Sequence, residues 1–523
     1  MRALPLAGIT LLLAILTLNR LGASDVCGGS EAAMAVYVQQ MVEDHRLLFP
    51  LDNCTIPMYK PPLYHWTATG LADLLHEETA TSFNLRLPSA LYAIGGAMLT
   101  MAFAASLLGL RGAILAGLIL CGSYQYVSQA RIGLVDMTLT FCETLSLYAF
   151  FWWFALDRDS AGASRRILRH YLFAIAMGLG VLAKGPVGAI LPGAAILLFL
   201  AIERNWAALK ALFKPGPLIV GGAIASSWYL ACLIGRRYDF LHLQIGSENF
   251  GRFFGSLGAM RRSYYLTPLL LNSLPLSLFV PIAVVIALVP PRVRSQPVTA
   301  EPLQPVALPA NSESAGSAAR FLALFWTVTV VFFNLAAYKR RDYLLPLWPA
   351  AAFLLSWWIV VRVIPWFSTP RGVLVYRTAV ATCLILATAN FLYIPAYELH
   401  GCGAPFTLRA FFRWPSKGFA GESSGDTGQV KSYRAAAAQI NQLTTAGAPL
   451  YTFGFQDAIE PLVFYLDRCA PPLPRPLATP SSGYVIVPAQ AWARASTRTS
   501  GLTPVTQVPF DNGKLVLLRA TSP

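Results

Sequence analysis

Charge is what this 523-residue chain has least of. Forty Lys and Arg and 25 Asp and Glu make up only 12% of it, about half the share usual in a soluble domain. Apolar residues supply 55%, and the mean hydropathy is +0.53. This balance excludes a disordered chain, which needs low hydrophobicity, and an ordinary water-soluble enzyme. Histidine is scarce as well. The six, at positions 45, 65, 76, 170, 242 and 400, do not cluster at metal-ligand spacing. There is no Walker loop, no G-x-G-x-x-G opening a soluble βαβ unit and no H-E-x-x-H. Those absences remove the P-loop, dinucleotide-binding and zincin classes. No repeat of 20–50 residues occurs, which removes the solenoids.

Long apolar runs are what the chain does have. A hydrocarbon core of roughly 30 Å takes about 20 residues of helix. By that measure spans lie at 3–20, 84–108, 111–130, 135–156, 170–183, 186–202, 216–234, 268–290, 320–337, 343–361 and 373–394, which predicts 11–13 helices. Two short spans meet at Lys184-Gly185-Pro186 and read either as two tilted helices or as one interrupted segment. The net charge is +15 and the pI about 9.6. The basic residues sit in short clusters between apolar runs, the pattern of membrane-protein loops and not of a nucleic-acid binder. Arg2 before an apolar run, with Leu21-Gly22-Ala23 after it, has the look of a signal peptide. A retained helix is the preferred reading, because ten spans follow.

Lys and Arg in short loops set the orientation. With a cytoplasmic N-terminus, Arg158, Arg165, Arg166 and Arg169, then Arg204, Lys210 and Lys214, then Arg292 and Arg294, then Arg362 and Arg371 fall inside. The outside receives 21–83, 131–134, 235–267, 338–342 and everything after 394. Loop 235–267 breaks the rule with Arg236, Arg237, Arg252, Arg261 and Arg262, and an anionic ligand would account for it. The inner loop 291–319 is rich in Pro, Ser and Ala and reads as flexible. Residues 1–400 are expected to form the membrane domain, with 21–83 as its first outer loop. Residues 401–523 are expected to form an α/β domain outside the membrane. After the polar stretch 416–428 it should carry a helix at 430–445, a strand at 449–455, a helix at 458–467 and strands near 483–488 and 514–519.

Of the eight cysteines, Cys121, Cys142, Cys232 and Cys383 lie in spans and read as small hydrophobes. Cys27, Cys54, Cys402 and Cys469 fall outside, where an oxidising compartment allows Cys27–Cys54 and Cys402–Cys469 bridges. Sequence alone does not fix that pairing.

Several segments offer chemistry at the outer face. Ser30 is an N-cap ahead of a helix expected over 31–44, lying at the interface. Glu31 in its first turn either complements the helix dipole or contacts a sugar or acceptor. Two prolines hold Lys60-Pro61-Pro62 near the extended polyproline conformation, so the Lys60 ammonium is presented from a stiff strut to a lipid phosphate. Otherwise it snorkels at a helix end. Tyr59 and Tyr64 flank it as candidate substrate contacts, and with His65 and Trp66 they also suit an interfacial aromatic belt. Asp136 starts a span, where a carboxylate is costly and a functional role is the default reading, against a simple helix cap. Glu143 lies two turns deeper, as a second buried acid or a helix contact. Lys184 sits at irregular backbone, which membranes tolerate only where it is buried in protein or lines a cavity. Glu248 and Arg252 stand at helical spacing. Lys339, Arg340 and Arg341, followed by Asp342 and Tyr343, place three consecutive cations outside, which suits phosphate or anionic lipid. These residues come from separate segments, yet the map puts all of them on one face.

The motifs GSEAAMAVYVQQM, YKPPLYHW, FNLRLPSAL, RIGLVDMTLTF, LAKGPVGAILPG and YKRRDYLLPLWP resemble those of the polyprenyl-phosphate-sugar-dependent glycosyltransferases of family 39. That family includes protein O-mannosyltransferases and the lipid A aminoarabinose transferases. The likeness covers roughly 5–350. It implies a mainly α, polytopic C-type glycosyltransferase bundle with an outer active site. The implied donor is a polyprenyl-phosphate-linked sugar, and the acceptor a hydroxyl on a lipid, glycan or protein. Glu31 and Asp136 would be catalytic. Lys60, Lys184, Arg252, Lys339, Arg340 and Arg341 would bind the donor phosphate, with Tyr59, Tyr64, Glu248, Asp342 and Tyr343 as substrate contacts. Two departures stand out. The family's Asp-Glu pair reads Ser30-Glu31 here, and the glutamate that precedes the lysine in aminoarabinose transferases is Tyr59. Their metal site is therefore not carried over, no cofactor is called for, and only a divalent metal is left open. The other readings are a transporter or lipid flippase, which should show two-sided polar paths and a repeat, and an inactive relative serving in envelope assembly.

Overall fold

The computed structural model describes residues 3–26, 29–156, 163–256, 258–289, 312–366, 369–400, 433–455, 459–474, 477, 479–495, 501–510 and 513–520. Most of the 291–319 loop, the 416–428 stretch, Cys27 and Cys402 lie outside them. The chain divides into two compact units. The first comprises Met1–Asn19, Tyr59–Tyr64 and Pro88–Leu392, and the second Arg20–Met58, His65–Leu87 and Tyr393–Pro523.

All eleven expected spans fall on helix. Among the described residues, five helices are long and apolar enough to cross a membrane alone: Ser82–Gly122, Ser164–Lys184, Pro215–Ile234, Glu313–Leu335 and Pro370–Ile394. Arg262–Leu271 and Leu276–Leu288 add a sixth span if the pair, bent by 110°, is counted as one. Leu4–Leu18, Val187–Ile202 and Leu347–Val363 are apolar but shorter. The spans expected at 84–108 and 111–130 are two helical stretches that meet at a kink at Gly109, whose φ is 72°.

The first unit is packed around aromatic rings. Phe103 stacks on Tyr148 at 4.1 Å, and Phe150, Phe151 and Phe199 meet Phe321. Small residues then let backbones approach, as membrane helices require. Helix Ala163–Lys184 lies against Val187–Ile202 so closely that a Cβ on Gly188 would stand 2.2 Å from the carbonyl carbon of Gly180. The turn between these helices is Gly185, at φ 96°. Lys184-Gly185-Pro186 is thus a tight reversal between two helices, which resolves the ambiguity left by the sequence.

The second unit holds a buried helix, Gly29–Glu43, and a short antiparallel pair, β1 (Leu51–Asp52) and β2 (Ile56–Pro57). The helix was expected to lie at the membrane interface. Its residues from Glu31 to Val38 are instead all buried, so it serves as core. A four-stranded sheet follows, of β3 (Leu450–Thr452), β4 (Tyr484–Pro488), β5 (Leu502–Phe510) and β6 (Gly513–Ala520), in the order β3-β4-β6-β5. β3 runs parallel to β4 and the other pairs are antiparallel. Helix Tyr433–Leu443 covers one face through Ala436, Ala437 and Ile440.

One expectation is corrected here. Cys54 is bonded to Cys469, not to Cys27, across 415 residues. The linear sequence carries no information on such a pairing, whereas tertiary structure brings the two Cα atoms to 6.0 Å. Asn53 reinforces the link, donating to the Ala470 carbonyl and accepting from its N–H, both at 2.7 Å. Non-reducing peptide mapping should therefore recover a Cys54–Cys469 cross-linked pair. Cys54→Ser should lower unfolding stability by about 2–5 kcal/mol, read as a drop in melting temperature that dithiothreitol reproduces in the wild type.

Candidate active site

Two helix ends create the first half of the site. Asp136 occupies the first turn of helix Val135–Phe151, and Lys184 the last turn of Ala163–Lys184. Each charge complements the dipole of its own helix. The helices pack side by side, and the Lys184 ammonium donates to Asp136 Oδ1. The ring of Tyr343 lies 4.5 Å from that ammonium, a cation–π contact.

The second half comes from the basic loop. Residues His242–Gly251 form a π-helix, a form frequent at functional sites. Glu248 Oε1 accepts from Arg252 Nη2 at 2.9 Å, and Glu248 Oε2 accepts from Lys60. Arg252 Nη1 donates to the Tyr343 hydroxyl at 3.1 Å, which joins the halves. A continuous chain thus runs Lys60–Glu248–Arg252–Tyr343–Lys184–Asp136, all within the first unit. Lys60 also lies 5.2 Å from the Tyr59 ring centroid. Burial pushes the Lys60 ammonium down to about 8; Glu248 opposes the shift, while Arg252 and Lys184 add to it. Burial would raise Glu248, but Lys60 and Arg252 outweigh it and hold the carboxyl below its ordinary range.

The Lys339–Tyr343 segment is largely engaged with itself. Lys339 is 2% exposed and donates to the Ala336 carbonyl. Asp342 is flanked by Arg340 at 2.9 Å and Arg341 at 3.6 Å, and Gln129 donates to it at 3.2 Å. Burial works against the Asp342 charge, and Arg340 and Arg341 together hold it below the ordinary range. Tyr64 is fully buried. Glu143 is 1% exposed and neither of its oxygens has a hydrogen-bond partner.

Glu31 lies in the second unit, where Arg86 grips it through Nε at 2.7 Å and Nη2 at 3.0 Å. The remaining Arg86 donors reach the carbonyls of Leu21, Ser24 and Asp25 and the Ser24 hydroxyl. Arg86 stands inside FNLRLPSAL, yet nothing in the sequence assigned it a partner; an arginine in an apolar stretch was the available signal. Among the described residues no three His, Cys, Asp or Glu side chains converge for a metal. A divalent ion at Asp136 or Glu248 would have to displace an ammonium or guanidinium already bound there.

Removing one partner of a buried pair strands the other's charge. Glu31→Gln should cost about 3–5 kcal/mol of unfolding stability. The double variant Glu31→Gln/Arg86→Met should recover part of that loss in the same thermal unfolding assay.

Residues 58–231 match the dolichyl-phosphate-mannose-protein mannosyltransferase family. An uncharacterised protein of Aquifex aeolicus is 28% identical over 46% of this chain and 46% of its own. The undecaprenyl phosphate-alpha-4-amino-4-deoxy-L-arabinose arabinosyl transferase of Pseudomonas aeruginosa is 29% identical over 44% of this chain and 37% of its own. The chain spans about half or less of the length of these curated relatives. ArnT of Cupriavidus metallidurans, solved with bound undecaprenyl phosphate, superposes with a TM-score of 0.74 over 99% of this chain and 97% of that one, at 17% identity. The archaeal oligosaccharyltransferase AglB of Archaeoglobus fulgidus, solved with an inhibitory peptide and a dolichol-phosphate, gives 0.54 over 92% and 69%, at 12% identity. The chain is a multi-pass membrane protein with the C-type glycosyltransferase fold, and within it residues 58–231 carry the protein mannosyltransferase family pattern.

Proposed function

We propose that this protein transfers a sugar from a polyprenyl-phosphate donor to an acceptor hydroxyl on a lipid, glycan or protein, at an active site on the extracytoplasmic face. The continuous polar chain from Lys60 to Asp136 carries this reading. Three cations against two carboxylates leave it one positive charge. A sugar phosphodiester of a polyprenol brings one negative charge.

The chemistry keeps that balance. The acceptor oxygen bonds to the anomeric carbon, and the bond from that carbon to the phosphate oxygen breaks. Polyprenyl phosphate leaves with a second negative charge, and the hydroxyl proton passes to Asp136. Neutralised Asp136 raises the cluster to two positive charges as the phosphate reaches two negative ones. Lys60, Lys184 and Arg252 stabilise the departing phosphate, which is the electrostatic part of catalysis. Asp136 is the general base. Glu31, in the second unit, has both oxygens held by Arg86. The similarity to ArnT supports a lipid-linked donor, and the charge map of the loops supports the outer placement.

Purified protein with donor lipid should show a loss of about 10²–10⁴ in turnover for Asp136→Asn and about 10²–10³ for Lys60→Met, both variants still inserting normally. Wild-type turnover in Asp136→Asn would remove the base assignment. Lys60 is charged below its value of about 8 and loses its proton as pH rises through that point. Affinity for undecaprenyl phosphate should hold up to pH 8 and then fall by up to about tenfold per unit. Lys60→Arg should abolish that step.

A further inference from the structure

The polar chain leaves one buried amide unused. Gln244 is 1% exposed, and neither its Oε1 nor its Nε2 has a hydrogen-bond partner. The Tyr229 hydroxyl lies beside the same amide and interacts with it weakly, short of an aligned hydrogen bond. Buried side-chain amides are nearly always bonded, and an orphaned one costs about 1–3 kcal/mol. A sequence that keeps such a group needs a reason for it.

Its position supplies one. Gln244 stands on the same π-helix as Glu248, and Asn249 fixes the local backbone by donating to the Gln244 carbonyl at 2.6 Å. The amide points at Gly185, the residue after Lys184. A Cβ on Gly185 would come within 2.5 Å of Gln244 Nε2 and 3.3 Å of Asn249 Nδ2. Glycine at 185 therefore does two things. It makes the φ 96° turn and keeps the space into which the amide projects. The open donor and acceptor lie one residue from the cation that pairs with Asp136.

We propose that Gln244 reads the donor sugar, its amide donating to one ring substituent and accepting from a neighbouring hydroxyl while Lys184 and Arg252 hold the phosphate. An amide, with two donors and two acceptor lone pairs, matches adjacent hydroxyls or an amino and hydroxyl pair. It has no charge with which to attract the phosphate. Gln244 is thus a specificity-determining residue, distinct from the cations that take any polyprenyl phosphate. This rests on the lipid-linked donor reading given above.

The test separates sugar from phosphate. Full-length wild type, Gln244→Met and Gln244→Leu are purified in nanodiscs, and affinities are measured for undecaprenyl phosphate and for undecaprenyl phosphate carrying mannose, glucose or 4-amino-4-deoxy-arabinose. In the wild type at least one loaded lipid should bind more tightly than the bare phosphate. Gln244→Met, close to isosteric, should leave the bare lipid within about twofold and weaken the preferred loaded lipid about tenfold, the equivalent of one to two net hydrogen bonds. Gln244→Leu, which also lacks the amide, should do the same. Equal losses for bare and loaded lipids, or no loss with either, would overturn the inference and leave the donor reading intact. Wild type that binds none of these lipids would overturn both. Unchanged melting temperatures identify the variants that remain folded, and either variant alone decides the matter.

Discussion

Everything about the site follows from the cost of a charge out of water. An isolated ion in a medium of low dielectric constant costs several kcal/mol even after relaxation, so a buried acid that stays charged must be held by a cation. Asp136 is held by Lys184, Glu248 by Lys60 and Arg252, Asp342 by Arg340 and Arg341, and Glu31 by Arg86. Such pairs are weak evidence for stability, because well-packed apolar residues of the same volume would often do as well. Retaining four of them in a chain only 12% charged points to use. The excess of one positive charge in the Lys60–Asp136 chain makes it receptive to an anion.

Irregular backbone is the second requirement, and it gathers where the charges are. The Gly185 reversal sets Lys184, the π-helix His242–Gly251 sets Glu248, and the 3₁₀ turn Arg341–Leu344 sets Asp342 and Tyr343. Regular helices would carry these side chains along fixed stripes. Broken ones bring residues from distant segments to a common point, which membranes tolerate only inside protein or around a cavity. The long regular helices supply the frame, through close backbone approaches such as Gly180 to Gly188 and through the aromatic packing about Phe321.

The sequence made the spans and the charged residues legible for one reason. A Lys or Asp inside an apolar run is conspicuous, and period and length locate the run. Partners were not legible. Nothing linear relates Lys60 to Glu248 across 188 residues, or Cys54 to Cys469. The burial of helix Gly29–Glu43 was missed because Gln39, Gln40 and Glu43 give it a half-polar look, although Gln40 turns inward and accepts from the Leu51 N–H at 2.8 Å. Strand β5 was missed because LTPVTQVPF carries Pro504 and Pro509. It lies at the edge of the sheet, with a register shift between Pro504 and Thr506, where proline does least harm. Gln244 gave no signal at all, since a glutamine in a polar loop reads as solvated.

Ser30, standing where the family that the chain resembles has an aspartate, bears on which carboxylate would receive the acceptor proton in the proposed reaction. Glu31, its neighbour, accepts two charge-assisted bonds from a guanidinium that is itself anchored by three backbone carbonyls. Protonating Glu31 would weaken both bonds, and arginine never gives up its own proton to compensate. Asp136 is differently placed. Its partner is a lysine, a point charge on a flexible stem, free to turn from one anion to another. In the proposed transfer Lys184 would gain a stronger attraction to the departing phosphate as negative charge builds there, and Asp136 would be left free to take the proton. A movable cation suits a proton acceptor better than a rigid clamp does, which is why the proposed base is Asp136 and not Glu31.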